Sequence, residues 1–278
     1  MLDIIIDTLK DSIKILPFLF FAFLIIEAFE HKFTKKSKAV LQKSRKFGPI
    51  IGSICGIFPQ CGFSVVATNL YITRIITLGT LIATYLATSD EMLPILIASK
   101  ASISTIITLL TIKFIVGITY GFIIDLLIKE KNKETFHICH DDHCHCEESI
   151  LKSSTIHTLK TLVFIIGITF ILNTAFYYIG EEYIKNLFKS NTFTAPFITS
   201  LIGLIPNCGP SIILTELYLN NVLTLGPIIA GLLTSGGIGL LVLFKNNKNL
   251  KENLKIIGML YCFGVITGII IEIINILV

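Results

Sequence analysis

A chain of 278 residues with a formal net charge of +4 could hold one or two soluble domains, but 53% hydrophobic and only 15% charged residues argue against both. Mean hydropathy is +0.80, and apolar runs of about 20 residues recur, the length that crosses roughly 30 Å of hydrocarbon. These features predict an all-α integral membrane protein and exclude a basic, aromatic-studded nucleic-acid surface.

Residues 2–12 read as an amphipathic lead-in, with Leu2, Ile5, Ile6, Leu9 and Ile13 at helical spacing. Asp3, Asp7 and Asp11 stand where a cleaved signal would carry basic residues, so no signal peptide is expected. A first span is predicted at about 13–28. A basic connection with Lys35, Lys36, Lys38, Lys43, Arg45 and Lys46 follows. An interrupted apolar segment then covers about 47–73. The next apolar stretch, 77–99, is broken by Ser89-Asp90-Glu91 and Pro94, and a further element covers 102–128. Residues 129–155 form the one long polar insert. Beyond it the pattern returns: a span at 160–179, an interrupted segment at 195–220, then spans at 223–244 and 256–277. The expected organisation is a first transmembrane repeat (1–128), a cytoplasmic His/Cys-rich insert (129–155) and a second transmembrane repeat (156–278).

The return is a duplication. Pro59-Gln60-Cys61-Gly62 is matched by Pro206-Asn207-Cys208-Gly209, and Thr77-Leu78-Gly79 by Thr224-Leu225-Gly226, at a constant offset of 147. Between Pro59 and Ala83, twelve of 25 positions are identical to their counterparts. Duplication within an apolar chain is the mark of a transporter core. Proline removes a backbone donor and glycine loosens the chain, so Pro-x-Cys-Gly within a span frees backbone groups that lipid cannot satisfy. Such backbone is tolerated when buried in protein or lining a wet cavity. A proline kink used only for packing is the plainer alternative.

The arrangement of the repeats depends on those breaks. If each is a full crossing, the repeats are parallel; if each is a re-entrant hairpin, they are inverted. With the first basic connection inside, the inverted arrangement places seventeen of 23 basic residues on the cytoplasmic side, and the parallel one about fourteen. Positive charge concentrates on the cytoplasmic face, which favours inversion.

Polar groups near the breaks suggest cation ligands. Asn69 and Glu216 are counterparts two helical turns beyond Cys61 and Cys208, beside Thr68 and Thr215. Asp90 and Glu91 follow Thr88-Ser89, and the matching place in the second half, Ser235-Gly236-Gly237, has no charge, so acidity is unequal between the repeats. An unpaired intramembrane acid costs about 2.5 to 3.5 kcal/mol on insertion scales, which a bound cation offsets. Lys100 and Lys113 are the alternative, structural partners. Carboxylates, amide oxygens (Asn69, Gln60, Asn207) and the Thr215 hydroxyl suit a hard or borderline divalent ion such as Mn²⁺. Cys61 and Cys208 would admit Zn²⁺, Cd²⁺ or a thiophilic metalloid if they are ligands, and are small buried packing residues if they are not. The insert carries His137, Cys139, His140, His143, Cys144, His145 and Cys146. That density suits loose metal scavenging or sensing, with an incidental linker as the alternative, and its spacing matches no defined zinc finger.

Together these residues carry a resemblance. Asp7-Thr8-Leu9-Lys10, Leu16-Pro17-Phe18-Leu19-Phe20, Glu27 with Glu30-His31-Lys32, the paired Pro-x-Cys-Gly stretches, Thr88-Ser89-Asp90-Glu91 and the insert are similar to the ten-helix heavy-metal exporters, described as arsenic efflux proteins or manganese transporters. The resemblance covers essentially the whole chain. It implies about ten helical segments, which agrees with five per half when the two arms of each broken segment are counted separately; with the charge distribution, the expected fold is two inverted repeats with broken or re-entrant Pro-x-Cys-Gly helices in the cell membrane. Organoarsenical permeases are more distantly similar, with a denser cysteine cluster than the single cysteine in each copy here. The expected activity is secondary, non-enzymatic export of a divalent transition-metal ion, with lipid as surroundings and no bound cofactor. Efflux of trivalent arsenic or antimony through Cys61 and Cys208 is the alternative, and a membrane metal sensor a third reading. A homodimer is compatible with the chain.

Overall fold

The computed structural model describes residues 47–59, 62–89, 92–128, 194–207 and 209–277, with scattered positions between 16 and 24 and between 155 and 174. Gln60, Cys61, Asp90, Glu91, Cys208 and the whole 137–148 cluster lie outside the described residues, as does most of the predicted spans at 13–28 and 160–179.

The described residues are helical and fall into two sets of five. The first set is α1 (Gly48–Ile57), α2 (Gly62–Ile72), α3 (Leu78–Ala87), α4 (Met92–Ala98) and α5 (Ile103–Leu127). The second is α6 (Ala195–Gly203), α7 (Gly209–Leu219), α8 (Leu225–Thr234), α9 (Ile238–Asn246) and α10 (Leu250–Leu277). Each helix of the second set begins within one residue of its counterpart shifted by 147, so the duplication extends well past the identical stretch. The predicted 77–99 and 223–244 stretches are each two helices, interrupted at Thr88 and Ser89 and at 235–237.

Local chemistry explains these boundaries. Pro49 and Pro196 sit in the first turns of α1 and α6, where a missing N–H is harmless. Ser102 caps α5 by accepting from Thr105 N at 3.1 Å. Thr77 caps α3 by accepting from Thr80 N at 3.1 Å. The turns after α2 and α7 each place a residue in the left-handed region, Arg74 (φ 62°) and its counterpart Asn221 (φ 56°).

Direction follows from small-residue contacts. Gly48 of α1 abuts Thr80, Gly52 abuts Thr80 and Thr84, and Gly56 abuts Thr84 and Ala87. α1 and α3 therefore run the same way, and α2, which joins the end of one to the start of the other, runs back. With 10 and 11 residues, α1 and α2 are each about 15 Å long, half of a hydrocarbon core. Small residues at four-residue spacing allow this backbone approach between apolar helices.

The core holds the interrupted helices. All ten residues of α3 are buried, as are nine of ten in α8. α5 buries one stripe, Leu109, Lys113, Gly117, Gly121 and Ile124, and turns Ile107, Ile115 and Leu126 outward. Four stretches among the described residues are long and apolar enough to cross a membrane: Leu78–Ala98, Ile103–Leu127, Leu225–Asn246 and Leu250–Leu277. Packing between the sets is reciprocal: α2 lies on α9, and α7 lies on α4.

Candidate functional site

The interruptions meet at one level of the protein. Ser89 N, in the α3–α4 break, donates to Gly56 O, at the end of α1, at 3.1 Å. Gly239, at the start of α9, packs on Ser64, at the start of α2, and its carbonyl accepts from Thr68 Oγ1 at 3.2 Å. Gly237 sits at the α8–α9 break with φ 56°, a conformation open to glycine, where the first half offers Asp90.

One side chain joins both broken helices. Lys113 on α5 is fully buried, and its Nζ donates to Thr88 O, just past the end of α3. It also donates to Leu232 O, in the last turn of α8, at 3.0 Å. The carbonyl ends of α3 and α8 carry partial negative charge, and an ammonium is a natural partner for them. Thr88, Ser89, Thr234 and Ser235 are buried around this point, so the junction is polar inside an apolar shell.

The predicted site residues separate in this frame. Asn69 is fully buried on α2; its Oδ1 accepts from Asn246 Nδ2 at 3.0 Å, while its own Nδ2 has no hydrogen-bond partner among the described residues. Asn207 is buried in the α6–α7 break. Thr215 is buried, but its hydroxyl donates to Ser211 O of its own helix at 2.6 Å. Glu216 departs from expectation. It is exposed on the last turn of α7, about 10 Å along the helix from the break, and does not share the burial of its counterpart Asn69. The expectation of an acid held beside the central breaks is therefore not met by Glu216, because the outward side of α7 at that turn is uncovered. Lys100 is exposed, with φ 53°. Among the described residues no group of three His, Cys, Asp or Glu could hold a metal ion.

A charged cluster lies at the far end of α2. Arg74 and Glu252 form a two-pronged ion pair at 2.8 and 3.0 Å, Tyr71 Oη donates to the same carboxylate, and the guanidinium lies 5.1 Å from the centre of the Tyr71 ring. The hydrogen bonds to Glu252 push the guanidinium further above its ordinary range, outweighing burial, so it stays charged. This cluster ties the turn after α2 to the start of α10.

Sequence reasoning missed one paired feature. Asp125 accepts from Thr77 Oγ1 at 2.8 Å and from Gly79 N at 2.9 Å. Its counterpart Glu272 accepts from Thr224 Oγ1 at 2.8 Å and from Gly226 N at 3.1 Å. Each carboxylate satisfies orphan donors at the start of a core helix, α3 or α8, where negative charge is favoured. Carrying the offset of 147 to the end of each repeat would have found this pair, because both positions are acids in apolar helices.

Comparison with known families places this geometry. Neither the curated proteins nor the solved structures contain a match. A family described as "Putative, 10TM heavy-metal exporter" matches residues 1–174 and again 162–276, which takes in both sets of helices. With its apolar spans, duplicated core and buried polar junction, the chain belongs to this family of heavy-metal exporters.

Proposed function

We propose that this protein is a multi-pass cell-membrane secondary transporter that exports a divalent transition-metal ion, Mn²⁺ by preference, through alternating access of two inverted repeats. The observation that carries the proposal is the convergence of helix interruptions from both repeats on one buried polar junction, the arrangement that discontinuous helices use for ion sites. Among the described residues Asn207 lies in the α6–α7 interruption, while Asn69 and Thr215 lie about two turns along α2 and α7 from theirs; Gln60, Cys61, Asp90, Glu91 and Cys208 belong to the same interruptions by sequence. Glu216 serves at the mouth of the pathway instead of at its centre.

Inversion draws support from the Arg74–Glu252 pair. Parallel repeats would put the turn after α2 and the loop before α10 on opposite faces, whereas inverted repeats put them on one face, as the ion pair requires. The half-length hairpins fit re-entry, and the lysine-rich loops mark that face as cytoplasmic. Thr267 Oγ1 meets Tyr120 Oη at 3.3 Å, and these two positions are themselves counterparts, as expected near a two-fold axis between repeats.

Alternating access draws support from unequal burial of equal positions. Asn69, Tyr71, Ile72 and Thr73 are buried at the cytoplasmic end of α2; their counterparts Glu216, Tyr218, Leu219 and Asn220 are exposed or half-buried at the end of α7. One face is sealed and the other is open. Exchanging the two conformations between repeats gives the opposite state.

The test is initial uptake of Mn²⁺, Zn²⁺ and Cd²⁺ into sealed vesicles containing the purified protein, with and without a pH gradient. Saturable flux of a divalent ion is expected, and absence of flux for all three removes the proposal. The second reading, efflux of trivalent arsenic or antimony, is favoured by Lys113: a site already holding an ammonium accommodates a neutral metalloid hydroxide more readily than a dication. Changing Cys61 and Cys208 to serine separates the two, since metalloid export should vanish and Mn²⁺ export largely survive.

A further inference from the structure

Lys113 is an expensive residue for its position. It sits on α5 in a buried stripe otherwise made of Leu109, Gly117, Gly121 and Ile124. A buried ammonium is unfavourable unless its hydrogen bonds are well satisfied. The protein contains its own control, because the counterpart of Lys113 in the second repeat is Leu260, which is equally buried on α10. Packing at this level of the fold therefore needs a side chain of that bulk and not a charge. What the charge does is reach the carbonyl ends of two broken helices at once, Thr88 O from the first repeat and Leu232 O from the second.

We infer that the Lys113 ammonium is the resident cation of the junction, holding the carbonyl ends of α3 and α8 together until the transported cation displaces it. The inference rests on the metal-transport reading and names the residue that sets affinity within it. Two cations cannot share the same carbonyls in a low-dielectric interior without strong repulsion. Cargo can therefore bind there only when the ammonium swings away, which the flexible four-carbon stem permits. Return of the ammonium then helps to expel the cargo. The carbonyls come from opposite repeats, so the exchange also loosens and remakes the link between the parts that rock against each other.

The consequence is a split between affinity and turnover. Without the competing charge, cargo binds more tightly and leaves more slowly. In proteoliposomes of the full-length protein, Lys113→Gln and Lys113→Met should lower the half-saturating Mn²⁺ concentration by about tenfold and the maximal rate by a similar factor. Lys113→Arg keeps the charge and should restore weak, wild-type-like half-saturation. Zn²⁺ and Cd²⁺ serve as parallel probes. A folded Lys113→Gln protein with unchanged or raised half-saturation overturns the inference while leaving metal transport standing. Failure of both neutral variants to fold, with Lys113→Arg folded, makes the charge a structural clamp and also overturns it. No flux of any of the three metals through the wild-type protein removes the transport reading and this inference with it.

Discussion

The hairpin α1–α2 and the hairpin α6–α7 are built to one plan and finished differently. Both begin with a helix that carries a proline in its first turn, and both end in a residue of positive φ. The first hairpin ends on Arg74, locked to Glu252; the second ends on Asn221, and the position equivalent to Glu252 is Thr105, so no charge is available to lock it. The last turn of the first is more fully covered than that of the second. Duplication thus fixes the scaffold, while a few unpaired differences decide which end is closed.

The largest effects are expected in the shared scaffold, where both repeats should respond alike. A Cβ on Gly121 would lie 2.8 Å from Pro49 Cβ and 2.9 Å from Ala83 Cβ; on Gly268 it would lie 2.5 Å from Ala230 Cβ. Gly121→Leu and Gly268→Leu should each cost about 3 kcal/mol or more and abolish accumulation of folded protein, read by size-exclusion chromatography in detergent. Next in size are the carboxylates under the core helices. Asp125→Ala and Glu272→Ala each strand two donors and should cost about 1.5 to 3 kcal/mol in thermal unfolding, with similar values for the two. A large inequality would show that the repeats do not carry load equally.

Smaller effects sharpen the difference between the hairpins. Removing one partner of the Arg74–Glu252 pair, by Glu252→Gln, should shift the balance between closed and open cytoplasmic faces by about 1 to 2 kcal/mol. The readout is thiol modification of a cysteine placed at Thr73, which should quicken in the variant; the charge-exchanged double variant should restore protection. The smallest expected effect is at Glu216. Because it is exposed, Glu216→Gln should weaken apparent metal affinity by no more than about fivefold, in keeping with roughly 1 kcal/mol for an accessible charge. Asn69→Ala, at the buried counterpart, should be the more damaging change.

Much of this architecture was legible in the chain. The offset of 147 is followed by both sets of helices, and the polar run that begins at Thr88 and Ser89 marked the second interruption. What escaped reading was contact between distant residues. Arg74 and Glu252 are 178 positions apart, and only the fold brings them together. Lys113 reads only as a possible partner of the intramembrane acids until Thr88 and Leu232 are placed around it. Glu216 misled because a duplicated motif fixes backbone, while burial depends on what packs outside it, and the two hairpins differ there.

If the repeats are inverted, their equivalent turns lie on opposite faces of the membrane. Single cysteines at Arg74 and at Asn221, in a chain whose native cysteines are serine, test it through labelling by an impermeant maleimide in right-side-out and inside-out vesicles. The account predicts that position 221 is labelled from the outside and position 74 from the cytoplasmic side. Labelling of both positions from one side would contradict it.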